Sequence, residues 1–450
     1  MAQRPFDRMS NRVTRIATRT LFGLSAFAAP VAAQDAGADV DLRSFDAAWR
    51  IINATHFDTT FNGVDWAGLR DSLRPLAVGA DRDSVRRLIR GMLGRLGQSH
   101  FSLVPQDAAD RNPSGGDGAG TVGIQFRLVD RRILVTQVEP GSAAEAAGIR
   151  TGWAIESVDT MRVAAALEAL EKRPSRYSMD LRAWGLVTGW LDGRPGDSVS
   201  VEFRDAAERS VSAGMERRPS RALPVKFGDM PVFYATFDSE RREPEPGFGV
   251  GLITFSSWMV PLVRQVDSAV NALRDARGMI LDLRGNRGGV GAMVMGVAGH
   301  FTATRDTLGS MRSRSGTLRF VTNPRMVSPG GLAVRPFDGP VAILQDALSG
   351  SASEVFAGGM QAIGRARVFG ATSLGGVLPA SWDRLPNGDV LYHAIADFVT
   401  SDGVLLEGRG VIPDEPVTVT RDDLLGGRDP VLDAAIRWIR SAARTQGGSR

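Results

Sequence analysis

The 450-residue chain contains no cysteine. It therefore holds neither a disulfide framework nor a lipid-modified cysteine. Histidine is scarce: His56, His100, His300 and His393 are all there are. With no second histidine at ligand spacing and no thiolate donor, neither a metal site nor a cofactor is expected. Lysine is scarcer still, at Lys172 and Lys226 only, so arginine carries almost all the positive charge and keeps it to high pH. No stretch is apolar enough to span a bilayer as a helix.

An apolar stretch, Leu21 to Ala29, follows Arg4, Arg8, Arg12, Arg15 and Arg19 and precedes Val31-Ala32-Ala33. That order reads as a secretory signal over residues 1–33, cleaved after Ala33, and implies a periplasmic or secreted protein with no integral membrane segment once the signal is removed. The net charge of +4 resides in that segment, because the segment holds five arginines and one aspartate. The remainder is near neutral, and nothing in it suggests a nucleic-acid partner.

The densest chemical signal is Ser349-Gly350-Ser351-Ala352-Ser353-Glu354, which follows the apolar run Val341 to Leu344 and precedes the helical segment Val355 to Ile363. A serine lifted onto a sharp strand-to-helix turn sits beside unpaired N–H groups at the positive end of a helix, where an oxyanion is stabilised. Ser351 is therefore a candidate nucleophile. The same residues also make an ordinary helix cap, with Ser351 or Ser353 as N-cap and Glu354 in the first turn. A second signal, Asp282 to Gly289, ends the strand Gly278 to Leu283 in a glycine-rich turn that lacks the lysine and hydroxyl of a phosphate-binding loop.

Two distant segments complete the pattern: Gln98-Ser99-His100 at the end of the helical stretch Ser84 to Leu96, and Glu407-Gly408-Arg409-Gly410-Val411-Ile412-Pro413-Asp414. From about Phe45 to about Ile439 the chain resembles the C-terminal processing peptidases and their tricorn-like relatives. The resemblance implies an α+β multidomain protein: an N-terminal helical segment, a PDZ-like β domain and a crotonase-like α/β peptidase core built as a β/α spiral. Some members use a serine–lysine dyad. Here Gly376 stands where that lysine falls, and both lysines lie far upstream. The resemblance then implies the tetrad type, with Ser351 as nucleophile, His100 as general base, and Ser99 with Glu407 behind it as orienters. It also implies Gly288 as one oxyanion-hole donor, Gly289 being the near alternative, while the N–H of Ala352 is expected as the second. Imidazole suits the role of taking the serine proton and returning it to a leaving amine, which predicts a pH profile rising through roughly 6 to 7. His56, His300 and His393 read as surface, packing and sheet residues.

The helical segment spans residues 34–110, with a polar linker near Gln34 to Val40 and three- and four-residue apolar spacing after it. Residues 119–218 form the PDZ-like domain, in which Val122-Gly123-Ile124-Gln125-Phe126 resembles a carboxylate-binding loop, and Trp153 replaces the usual aspartate of the following turn. Tyr177, Trp184 and Trp190 occupy an insertion and are read as core rather than as an interdomain contact. Residues 219–440 alternate strand and helix, as a largely parallel layered core does. They include an alternating strand over Val390 to Phe398. Residues 441–450 read as a disordered tail.

The function expected is an exported serine endopeptidase acting on polypeptides and guided by substrate C-termini, in a monomer or an oligomer. The alternative is a PDZ-containing peptide-binding scaffold that has lost catalysis. An acyl-ester hydrolase fits less well, because Gly-Ser-Ala-Ser-Glu is not the Gly-x-Ser-x-Gly elbow.

Overall fold

A computed structural model describes residues 29–110, 120–173, 175–226, 228–229 and 232–447. The arginine-rich part of the expected signal and its apolar part up to Ala28 lie outside the described residues, as do residues 111–119.

Three helices, Ala29–Thr55, Trp66–Ala77 and Arg82–Arg95, open the structure. The first runs through the stretch expected to be a linker, since Asp and Gly there are interspersed with alanines that favour helix. Asp65 and Asp81 cap the second and third helices by accepting hydrogen bonds from Gly68 N–H and Ser84 N–H. Their apolar faces bury Phe45, Ile52, Trp66, Val85, Ile89 and Leu93. Four residues of that same core, Leu378, Leu385, Leu391 and Ala394, come from near the other end of the chain. The helices are thus not an independent unit.

The peptidase-like half is built on a six-stranded sheet in the order Phe237–Glu245, Phe248–Phe255, Gly278–Asp282, Val341–Gln345, Arg367–Gly370, Glu415–Pro416. The first pair is antiparallel and the rest are parallel. The strands at 278–282 and 341–345 are buried at every position, as a sheet covered on both faces requires. One face is covered by helices Val263–Ala272, Ala292–Ala298 and Ala352–Ala362, the other by Pro430–Gly447. That last helix continues through most of the expected tail, because Val431, Leu432, Ala435 and Ile439 anchor it and the alanines beyond propagate it.

The stretch Val390 to Phe398 is two strands, Val390–Ala394 and Ala396–Thr400, in different sheets. The first pairs with Ala380–Arg384 and with Ser102–Val104, the second with Thr307–Ser313. Alternation of apolar residues fixes which face is buried but not which neighbour is paired, so a strand that changes sheets at Ile395 reads as one.

Between the helices and the parallel sheet lies a separate antiparallel sheet made from Ile124–Val129, Arg132–Val138, Ala154–Val158, Ser198–Arg204 and Ser210–Glu216. Helices Val163–Glu171 and Met179–Leu191 pack on it. Gly120 pairs with Pro219 and Thr121 with Arg218, so the chain enters and leaves this unit side by side. At the Gly152-Trp153 turn, Gly152 has φ +79° and no room for a Cβ beside Leu425, while Trp153 packs edge-on against Phe203.

Candidate active site

Strands Gly278–Asp282 and Val341–Gln345 are parallel neighbours with Asp282 opposite Leu344, so the turns that follow them leave the same edge of the sheet. Those turns are stitched together. Asp346 Oδ1 accepts from Gly285 N–H (2.9 Å) and Leu348 N–H (3.0 Å). Ser349 Oγ donates to Leu283 O (2.8 Å), and Gly350 N–H and Ser353 Oγ both donate to Asn286 O, at 3.0 and 2.9 Å. Ser351 follows with φ 54° and ψ −118°, a region that residues with side chains rarely enter and that costs ~1–3 kcal/mol.

Glu354 helps hold that backbone. Its fully buried carboxylate accepts from Ser351 N–H (2.9 Å), Gly376 N–H (3.0 Å), Gly375 N–H (2.6 Å) and Ser373 Oγ (2.6 Å). Burial nonetheless pushes its pKa up to about 7, against those four donors. The sequence showed Glu354 only as a helix-cap partner, since a Ser-x-x-Glu spacing reveals the bond to Ser351 but not the loop that folds over it.

His100 lies five residues beyond its helix, in a turn where Gly97 has φ 64° and His100 itself φ 61°. Pairing of Ser102 with Tyr392 fixes the exit from that turn, and His56 Nε2, bonded to Gln98 Oε1 at 2.9 Å, fixes its entry. His56 is fully buried, His300 is bonded to Asp267, and His393 is bonded to Thr55 and Asp383.

The four sequence candidates come together in a line. Glu407 Oε2 lies 2.8 Å from Ser99 Oγ, Ser99 Oγ 2.7 Å from His100 Nδ1, and His100 Nε2 3.3 Å from Ser351 Oγ. Glu407 Oε1 also accepts from Ser99 N–H at 2.7 Å, and Oε2 from Val377 N–H at 3.0 Å. A carboxylate only accepts, so Ser99 gives it the hydroxyl proton and accepts from His100 Nδ1–H in turn. That tautomer leaves Nε2 with a bare lone pair facing Ser351. Burial, and then the nearby Arg176 cation, push His100 down to about 4. The expected window of roughly 6 to 7 is corrected accordingly, because a reference imidazole is solvated and this one is not.

The glycine turn needs a second correction. Gly288 N–H donates to Asn286 Oδ1 at 3.0 Å, so it is already engaged. Trp258 N–H donates to Gly288 O and Val290 N–H to Trp258 O, which turns the Gly289 N–H to the opposite side. Neither Gly289 N–H nor Ala352 N–H meets an acceptor among the described residues.

Both turns open into a cavity of about 970 Å³. Its walls include Ser351, His100, Gly289 and Ala352, and also Val122, Ile124, Gln125 and Phe126 of the antiparallel sheet together with Leu181 and Trp184 of the helix facing them. Gly123 has φ +79° and its N–H donates to Thr121 Oγ1 (3.1 Å). Arg287, inside the glycine turn, stacks on Trp184 with its guanidinium carbon 3.8 Å from the ring centre. Trp184 is therefore an interdomain contact as well as a packing residue. The interdomain reading, set second to core in the sequence, thus holds for Trp184, and its partner was not legible because only the fold brings residues 184 and 287 together.

A strained serine facing an imidazole at the edge of a parallel sheet is the nucleophile-and-base arrangement of serine hydrolases, peptidases among them. Comparison with known proteins narrows that class. The model for Peptidase family S41 matches residues 249–417, and the Tricorn protease C1 domain matches residues 43–94. The carboxyl-terminal-processing protease of Picosynechococcus sp. is 26% identical over 381 residues, covering 82% of this chain and 81% of that protein. Tricorn protease homolog 1 of Streptomyces coelicolor is 26% identical over 422 residues, covering 88% of this chain but 35% of that longer protein. Among solved structures, the photosystem II D1 C-terminal processing protease shares the fold with a TM-score of 0.57 at 22% identity, over 84% of this chain and 93% of that one. The chain is thus similar to the S41 peptidases over residues 249–417, and it is a serine-type peptidase, a hydrolase.

Proposed function

We propose that the protein is an exported endopeptidase that cleaves polypeptides with a Ser351–His100–Ser99–Glu407 tetrad. The observation that carries this reading is the unbroken line of hydrogen bonds from Glu407 to Ser351. His100 Nε2 takes the Ser351 proton as Oγ attacks the scissile carbonyl, and the imidazolium so formed is stabilised through Ser99 by the Glu407 charge. The N–H groups of Gly289 and Ala352 receive the developing oxyanion, and Nε2–H then protonates the leaving amine. Water repeats the sequence on the acyl-enzyme.

Residues 120–219 act as a PDZ-like module in this reading, taking an extended peptide along the strand Ile124–Val129 beside the helix Met179–Leu191. The continuous cavity supports delivery of that peptide to Ser351. Relatives named for carboxyl-terminal processing favour chain ends as the substrate. Export rests on the arginine-rich, apolar N-terminus; no helix among the described residues is long and apolar enough to cross a membrane.

Labelling with a fluorophosphonate followed by peptide mapping tests the reading. Modification of Ser351, with peptide hydrolysis reduced by several powers of ten in Ser351→Ala, is the expected result. An unlabelled protein that still binds peptides would be the inactive scaffold instead.

A further inference from the structure

Arg176 stands on the connection between helices Val163–Glu171 and Met179–Leu191 and lines the same cavity as Ser351 and His100. Its Nη2 donates to Phe101 O, one residue past the proposed base, at 2.9 Å and also meets the Tyr177 hydroxyl. Its guanidinium lies over the Tyr177 ring, 4.4 Å from the centroid. These contacts fix its position without neutralising it. Nη1 is buried with no hydrogen-bond partner, and Arg176 has no carboxylate within ion-pair distance among the described residues. A half-buried arginine that lines a cavity with a buried, unpartnered Nη1 and no counter-charge is a poor structural element and a good anion receptor.

Its side of the site follows from the chemistry. The oxyanion sits against the glycine turn and the helix start, whereas the leaving amine takes its proton from His100. Arg176 is tied to the residue after His100, which places it on the side of the base that protonates the leaving amine.

We propose that Arg176 is a specificity residue that binds a carboxylate on the leaving-group side of the scissile bond. This inference rests on the tetrad reading. A carboxylate in that place has two sources, an Asp or Glu side chain just after the cleaved bond or the free C-terminus of a short leaving peptide. Either accepts from Nη1 while Nη2 keeps its bond to Phe101 O.

The test uses purified full-length protein and matched peptide sets that differ only in the leaving segment: Asp against Asn, Glu against Gln, and a free C-terminal carboxylate against its amide. A charge-assisted hydrogen bond in a partly desolvated site predicts kcat/KM about 10- to 100-fold higher for the carboxylate member of at least one pair. The responding pair identifies the source. In Arg176→Gln that ratio falls to about one, and in Arg176→Glu it inverts in favour of lysine in place of the acid. Equal kcat/KM for all three pairs in the wild type overturns the proposal, and so does a preference that survives Arg176→Gln. Fluorophosphonate labelling of Ser351 reads the tetrad independently, because that probe carries no carboxylate. Labelling without a carboxylate preference removes Arg176's role alone, whereas no labelling and no hydrolysis removes the tetrad reading.

Discussion

Ser99 has one proton to give, and Glu407 takes it, so the direction of every bond toward Ser351 is set by a group that touches no reacting atom. Replacing Glu407 with Gln keeps the shape but removes the charge that stabilises the imidazolium, a species present only as the transition state forms. Steady-state kinetics should show kcat lowered by ~10²-fold or more with KM nearly unchanged. Wild-type kinetics in Glu407→Gln would reduce the tetrad to Ser351 and His100. The depressed His100 pKa yields a second prediction. The base works only when neutral, so the limb of the kcat/KM profile that belongs to His100 should lie near about 4 rather than between 6 and 7. Stability follows the same group: between its ordinary 6.5 and about 4 the unfolded chain binds a proton that the folded one refuses, so folding weakens as pH falls across that window. Arg176→Gln removes one of the two causes and should move the acid limb upward.

At the scale of elements, the two turns that bracket the site were legible because each follows a short, largely apolar strand, one with glycines and the other with glycine and serines at recognisable spacing. What holds them was not legible. The four donors on Glu354 come from the nucleophile turn and from residues 373–376, a loop whose sequence carries no periodic signal. A Gln at 354 turns an amide N–H toward two of those donors in either orientation. Denaturant titration of Glu354→Gln should therefore show a loss of about 2–4 kcal/mol, together with lost hydrolysis. Since the buried carboxyl is raised to about 7 from 4.5, wild-type stability should decline as pH rises between those values and level off above. The variant should lack that decline. The same limit explains Gly288 and Gly289: two adjacent glycines look alike in sequence, and only the bond from Gly288 to Asn286 separates them.

Across the whole molecule, the helical region shares its core with residues 378–394, a union invisible to local patterns because it joins segments some 300 positions apart. The tie is also ionic. Arg86 Nη2 and Nε reach the fully buried Asp389 carboxylate at 2.6 and 2.9 Å. Burial raises Asp389, but Arg86, the Gln106 N–H and the Asn387 amide outweigh it and hold the carboxyl below its usual range. Arg86→Ala leaves a buried charge with one strong partner fewer and should cost about 3 kcal/mol in unfolding free energy. Because the same packing positions His100, activity should fall further than that of a surface Arg→Ala control such as Arg131→Ala.

The bond from Ser99 to Glu407 joins residues 308 positions apart, and that separation acts as a clock. A ribosome adding ~5–20 residues per second needs about 15–60 s to make the stretch between Ser99 and Glu407. Throughout that interval the growing chain holds a base without its orienter and, for most of it, without its nucleophile. On the tetrad reading, then, the nascent polypeptide has no complete site until the segment carrying Glu407 has been made.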